Sequence, residues 1–507
     1  MRNTPGALIA TLLLANSPAK DRQVITLLPG ANIQGFVDGN PENTTFVLSP
    51  GTYRLQSIQP KNGDSFIGQN NPVLSGAQVL RSFLRQGNLW LVTGQNQAGQ
   101  RNGSCDSQHP MCMYPEDLYF DNVPLLHVAS VAAVGPGSWY FDYPNQIIYF
   151  ANDPTGHLVE TSVTRSAFSG SAANVTISGL IVEKYAVPAQ FGAIGDQYPG
   201  PNWTITNNEV RLNHSGGILL LSGGTASQNY VHNNGQKGFG GSGNNILVDS
   251  NQVSFNNWAG FDCSWECGGM KFAITNSLTI RHNFVHDNLG PGMWIDTDNI
   301  NTLYESNVVS NNRGGGITHE ISYAAIIRNN TVCDNSVSGP TNWLWGSQIL
   351  IQNSQNVQVY GNVVETPPNT AVRGSNGIGI IQQKRGSGAY GPYLAVNNSI
   401  HHNSIVYRGG VSSSGAVADY NQEQMLQTGN NHFDYNTYHL LDPNWYHWIW
   451  GPGVRFAGFQ QIGQESHGAA DASMPPLCST LYSGFNPTHS AHGSIRSVEV
   501  LHRVQQP

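Results

Sequence analysis

Apolar and polar positions alternate in short runs through most of this chain, and the runs come back at regular distances. Gly217-Ile218-Leu219-Leu220-Leu221, Met270-Lys271-Phe272-Ala273, Met293-Trp294-Ile295-Asp296 and Ile317-Thr318-His319-Glu320 are examples. Each is four or five residues long, which suits a strand and is too short for a helix. Between the runs lies a second marker, Asn followed by any residue and then Val or Ile. It opens at Asn208, Asn229, Asn251, Asn283, Asn307, Asn330, Asn362 and Asn403. In six of these eight cases another Asn follows five residues later: Asn213, Asn234, Asn256, Asn288, Asn312 and Asn335. The spacings between first markers are 21, 22, 32, 24, 23, 32 and 41 residues. A period near 22 with insertions predicts a solenoid whose coils stack on one another. Asn suits its turns, since it tolerates left-handed backbone angles and its amide bonds nearby backbone. Stacked amides can also bond each other along the axis. The expected fold is all-β, a right-handed parallel β-helix solenoid.

Aligning the coils puts side chains in columns. Met270, Phe272, Met293, Ile295, Ile317, Ile349 and Ile351 point to the core, and so, by alternation, does His319. Lys271, Trp294, Thr318 and Leu350 form one outward column; Ala273, Asp296, Glu320 and Gln352 form another. Coils lie about 4.8 Å apart. The carboxyls of Asp296 and Glu320 are therefore expected on the order of 5 Å from each other, with one of them pushed to a higher pKa. One protonated and one ionised carboxyl at that distance is what retaining cleavage of a glycosidic bond uses. Trp294 offers a flat apolar face to a sugar ring. Long coils bring the insertions "WAGFDCSWECGG", "SGPTNWLWGSQ" and "QQKRGSGAYGPY" to the same region, the second carrying Trp343 and Trp345. Such loops on a regular scaffold are where function concentrates. Glu266 and Asp298 lie on nearby turns and suit sugar hydroxyls, and His319 is kept with them as a supporting contact. Lys237, His286 and Arg313 read as surface residues. No cofactor is expected, although an Asp stacked over a Glu can also hold Ca²⁺.

The remaining stretches divide the chain. Residues 1–22, with Arg2 and the apolar run Ala7 to Ala15, read as a secretory signal or a tail, too short to cross a membrane. Residues 23–82 hold a helical cap, predicted over Ala31 to Gly39, and the first coils. Residues 83–168 break the repeat with aromatic strands and read as a small β-rich inserted module. Regular coils are expected over 169–470, with a tail over 471–507. Charged residues make up only 11% and Gly 57 of 507, against about 25% charged in ordinary domains; stacked strands leave little room for charge. A net charge of −8 without a basic run excludes a nucleic-acid role. No membrane partner is expected, and the oligomeric state is open. The six cysteines suit an oxidising, secreted or periplasmic location. Cys105 with Cys112, Cys263 with Cys267, and Cys333 with Cys478 are the pairs expected.

The segment "PGANIQGFVDGN…TTFVLSPGTYRL" followed by Asn-rich coils resembles the pectin-lyase-like superfamily of right-handed parallel β-helices over roughly residues 23–470. Within it, the Asp296 and Glu320 placement is similar to that of secreted β-helix glycoside hydrolases of the xylosidase and fucosidase type. That resemblance implies Asp296 as nucleophile, Glu320 as acid/base, and Lys271 and Trp294 lining the sugar subsite. The Asp-Asp and Gly-His-Gly segments of polygalacturonases are absent, as is the Arg, Lys and multiple-Asp cluster of pectate lyases. The leading expectation is a glycoside hydrolase acting on an oligo- or polysaccharide. Two alternatives stand beside it: a uronate lyase or epimerase using Lys271 and His319, and a non-catalytic glycan-binding β-helix.

Overall fold

The computed structural model describes residues 22–336, 342–368 and 375–482. The signal reading at 1–21 and the end of the tail, 483–507, lie outside the described residues. Three long sheets run the length of the solenoid, of 13, 13 and 11 strands. A full coil gives one strand to each, as in Thr302–Glu305, Val308–Ser310 and Ile317–Glu320. Neighbouring coils pair in parallel and in register. The Asn-x-Val motif is explained by that register: Val210, Val231, Val253, Val285, Val309, Val332, Val364 and Ile405 stack as one column. All eight are fully buried. Branched side chains pack well on such a pleated surface.

The Asn residues stack as well, and in two ladders. In the first, each amide from Asn208 to Asn403 bonds the Asn of the next coil, ending at Asn436 and then Glu465. The second runs from Asn213 through Asn335 to Gln348. The ladder Asn is not itself the left-handed residue, contrary to the expectation that its tolerance of such angles places it. The residue before it is: Asn207, Gln228, Ser250, His282, Ser306 and Asn329 precede first-ladder residues with φ between 53° and 57°. Each turn thus uses its predecessor to swing the amide inward, where both amide atoms find partners in buried surroundings. Glu465 closes the first ladder, and burial pushes its carboxyl up to about 7.

The first coil is covered by a helix, Ile33–Gly39. It starts two residues later than the apolar pattern suggests, because Asn32 acts as its N-cap and accepts a bond from the Gly35 amide at 3.2 Å. Ile33 and Val37 close the core.

Two small antiparallel-rich sheets, of four and five strands, fill the stretch from Ala77 to Ser162. They enclose their own core around Trp139, Phe141, Ile148 and Phe150. The solenoid closes beneath them without a gap, since Ser65–Gly68 pairs directly with Thr176–Ser178 and Val73–Ser75 with Ile181–Glu183. Buried polar contacts dock the module. Glu160 takes Arg54 at 2.6 Å and also Lys184, and the Tyr119 hydroxyl donates to the Leu212 carbonyl at 2.6 Å. His214 donates through Nδ1 to Asp117 at 3.0 Å and through Nε2 to the Cys112 carbonyl at 2.7 Å.

A carboxylate at Nδ1 and a carbonyl at Nε2 both favour the protonated ring of His214. Burial alone would lower its pKa, but the charge and hydrogen bond of Asp117 outweigh this and raise it. A raised histidine pKa stabilises below the unfolded value of about 6.5 and loses that contribution as pH rises through the folded value. Module docking is therefore expected to weaken toward alkaline pH. Limited proteolysis at the module boundary across a pH series checks this. The pH slope should vanish in Asp117→Asn; a slope unchanged in that variant would reject the pair as its cause.

All three expected disulfides form: Cys105–Cys112, Cys263–Cys267 and Cys333–Cys478. The last ties the segment after the final coil back to the solenoid wall.

Candidate functional site

The third sheet carries the two outward columns. Lys271 pairs with Trp294, Trp294 with Thr318 and Thr318 with Leu350, while Asp296 pairs with Glu320 and Glu320 with Gln352. Parallel register without a bulge between Met293–Asp296 and Ile317–Glu320 makes the two acids vertical neighbours.

Their surroundings differ. Asp296 faces Lys271, with Oδ2 at 3.0 Å from Nζ, and its Oδ1 accepts from the Thr297 hydroxyl at 3.0 Å. The Lys271 ammonium sits 3.4 Å from the centre of the Trp294 ring and donates to the Trp265 carbonyl at 3.2 Å. Glu320 accepts from the Trp294 indole N–H through Oε2 at 2.9 Å, and its Oε1 lies 2.9 Å from Arg385. Burial raises the Glu320 pKa first, and the charge of Asp296 raises it further; Trp294, Arg385 and Lys271 oppose the shift without cancelling it. Two stacked carboxyls are thereby set apart, Glu320 as the one that holds a proton more readily.

The other expected contacts divide. His319 is fully buried. Its Nε2 donates to the Tyr323 carbonyl at 2.7 Å and its Nδ1 lies 3.0 Å from the Tyr304 hydroxyl. Burial brings its pKa down to about 4, so it is a neutral core residue and does not reach a substrate. The expectation that His319 supports a sugar is corrected, because its inward position in the strand buries it fully. Asp298 is engaged by a loop: its Oδ1 accepts from the Tyr393 hydroxyl at 2.6 Å and the Ala389 amide at 3.0 Å. Glu266 forms an ion pair with Lys237 and accepts from Gln190 at 2.8 Å. Burial pushes its pKa up, but Lys237, Lys271 and Gln190 together hold it below the usual value.

Lys237 is not a surface residue as expected; it is buried. Gly240 makes room for it, since a Cβ there would stand 2.9 Å from the lysine Cε and 3.0 Å from its Nζ. His286 is also nearly buried, stacked on Phe284 and bonded to Asp287 at 2.6 Å on a different sheet. Trp343 and Trp345 pack with Leu344, Leu350, Ile381 and Val417 over the coils beyond Glu320.

Two parts of the site were missed from sequence. Arg385 arrives on the loop between strands Asn376–Gln382 and Ser399–His401; the only signal was a basic pair inside "QQKRGSGAYGPY". An arm of the inserted module also reaches over. Cys105 and Cys112 pack with Ala259, Phe261, Trp258 and Trp265, and Cys105 bridges to Phe261. The module thus props the loop whose Trp265 carbonyl holds Lys271.

A calcium ion does not suit this pair. Lys271 and Arg385 lie within 3.0 Å of the two carboxylates, so a divalent cation there would meet two positive charges. Among the described residues no group of three or more His, Cys, Asp or Glu is arranged to hold a metal.

Residues 195–364 match the family model described as the right handed beta helix region. No curated protein matches the chain. Among solved structures the chain is similar to XylC in complex with xylose, at 14% identity, covering 88% of this chain and 83% of that one, with a TM-score of 0.65. It also matches the A-module of mannuronan C-5 epimerase AlgE6 from Azotobacter vinelandii, at 14% identity over 88% and 95% of the two chains and a TM-score of 0.47. A mannuronic acid specific polysaccharide family 6 lyase from human gut microbiota matches at 11% identity over 92% and 94%, with a TM-score of 0.42. The family-model match and the likeness to XylC agree with the fold seen here, a right-handed parallel β-helix.

Proposed function

We propose that this chain is a carbohydrate-active enzyme that hydrolyses a glycosidic bond with retention of configuration, with Asp296 as nucleophile and Glu320 as acid/base. The observation that carries the reading is the in-register stacking of two carboxyls in unlike surroundings. In the first step Glu320 gives its proton to the leaving oxygen while an Asp296 oxygen bonds the anomeric carbon. In the second, Glu320 takes a proton from water, which attacks the same carbon and frees Asp296. Lys271 orients the Asp296 carboxylate and, with Trp294, shapes the sugar subsite. XylC, which shares the fold, is described with xylose.

Hydrolysis is favoured over uronate elimination or epimerisation by two features of the site. The base which those reactions would draw from His319 is locked in the core. The two lysines near the acids are each committed to a carboxylate, Lys237 to Glu266 and Lys271 to Asp296, so neither is free to neutralise a uronate carboxylate. Three disulfides support a secreted or periplasmic setting. Among the described residues no helix is long and apolar enough to cross a membrane.

The test is incubation with aryl glycosides and plant and microbial polysaccharides, following the first-formed product by proton NMR. Release of the retained anomer is expected. The inverted anomer would remove Asp296 as nucleophile, and an unsaturated uronate product would replace hydrolysis by elimination.

A further inference from the structure

The loop that carries Arg385 has the build of a strap. It leaves its coil at Gln382 and folds back against the stacking direction to residues two and three coils away. Tyr393 and Ala389 bind Asp298 at 2.6 and 3.0 Å. The Tyr323 hydroxyl donates to the Gly391 carbonyl at 2.7 Å, and the Tyr323 ring meets those of Tyr390 and Tyr393. Near its root, Asn353 accepts from the Gln383 amide at 3.0 Å. Gly386 and Gly391 have φ of 83° and 118° with open space around them, which makes them natural bending points. The root is bound tightly, since Asn353 also donates to the Gln383 and Tyr393 carbonyls, Gln355 donates to the Pro392 carbonyl at 2.9 Å and the Lys384 amide donates to Asp419 at 3.1 Å; the tip rests on polar contacts of which Asp298 supplies two.

The geometry points to residues 383–396 as a latch, with Asp298 as its catch and Arg385 as a positioning residue that pairs with the Glu320 carboxyl until substrate enters. In the latched state both Glu320 oxygens accept bonds, from Trp294 and Arg385. The guanidinium thus occupies the Oε1 side of the carboxyl. A leaving-group sugar entering beside Glu320 takes the place of the guanidinium, and Glu320 protonates where the proton is needed. The charged groups facing Glu320 are Asp296 from the adjacent coil, Lys271 from the coil beyond, and Arg385 from the loop. Of these three, only Arg385 is mounted on a loop; Asp296 and Lys271 sit on coil strands. Asp298 thereby acts through the loop and not on the sugar.

This rests on the reading of Glu320 as acid/base, but its first test does not need a substrate. Carbodiimide with glycine ethyl ester labels protonated carboxyls, and the Glu320 peptide is quantified by mass spectrometry across a pH series. In Arg385→Gln the labelling midpoint is expected to rise by about one pH unit, and Arg385→Lys should return it toward the wild type. Asp298→Ala and the isosteric Tyr393→Phe, which release the catch, should move it the same way. An unchanged midpoint in Arg385→Gln overturns the role of Arg385. A shift in Arg385→Gln with none in either catch variant overturns the latch. With a turned-over glycoside in hand, the basic limb of kcat/KM should rise in Arg385→Gln while that of kcat stays, because bound sugar has already displaced the guanidinium. Both limbs rising together would overturn displacement by substrate. A shifted midpoint in a chain that hydrolyses no glycoside keeps the contact and refutes the acid/base reading alone.

Discussion

Asp296→Asn is expected to abolish turnover of a glycoside substrate to within the limit of detection, a loss on the order of 10⁴-fold or more, because the covalent step has no substitute nucleophile. Glu320→Gln should lose about 10² to 10⁴-fold, the usual worth of a positioned acid/base. The two variants should also differ in kind. An aryl glycoside with a good leaving group needs no proton to depart, so Glu320→Gln should lose less of its first step on such a substrate, and an added small anion such as azide should restore the second. No leaving group or added anion should restore Asp296→Asn in the same way with retention. Steady-state rates on leaving groups of graded basicity make the comparison, with circular dichroism confirming that both variants keep the β-helix. Full activity in both would end the assignment.

The largest effect on stability is expected away from the site, in the Asn ladder. Asn307 is fully buried. Its Nδ2 donates to the Ile280 carbonyl at 2.9 Å and to Asn330 Oδ1 at 2.9 Å, while its Oδ1 accepts from the Asn283 amide and side chain, each at 3.0 Å. Asn307→Ala strips partners from the coils on both sides. Each buried group left unsatisfied costs about 1–3 kcal/mol, so a total of about 2–5 kcal/mol is expected. Asn421, which is exposed, should change stability by less than about 0.5 kcal/mol when replaced by Ala. Urea titrations of the two variants give the comparison. Equal midpoints would mean that the ladder contributes nothing beyond its backbone turns.

The ladder also shows what was legible in the sequence. The Asn-x-Val period gave the coil length, and period-2 alternation told inward from outward at Trp294, Asp296, His319 and Glu320. Both are short-range properties. In a solenoid, local repetition is also global architecture, since the residue one period on is the neighbour in space. That is why the stacking of Asp296 on Glu320 could be read before any coordinates, and why the disulfide partners near each other in sequence were easy to pair.

What the sequence determined, then, is the solenoid, its core columns and the two stacked acids, because each depends on contacts repeated every coil. The tertiary structure decided the rest. It brought Arg385 back two coils to Glu320, turned Asp298 toward Tyr393, buried Lys237 against Glu266 in the space left by Gly240, and laid the module's disulfide arm against Trp265. These contacts join parts of the chain whose separation follows no period, such as 29 residues for Lys237 with Glu266 and 95 for Tyr393 with Asp298. Each is selected by the fit of one loop against another, and no repeat in the sequence announces it.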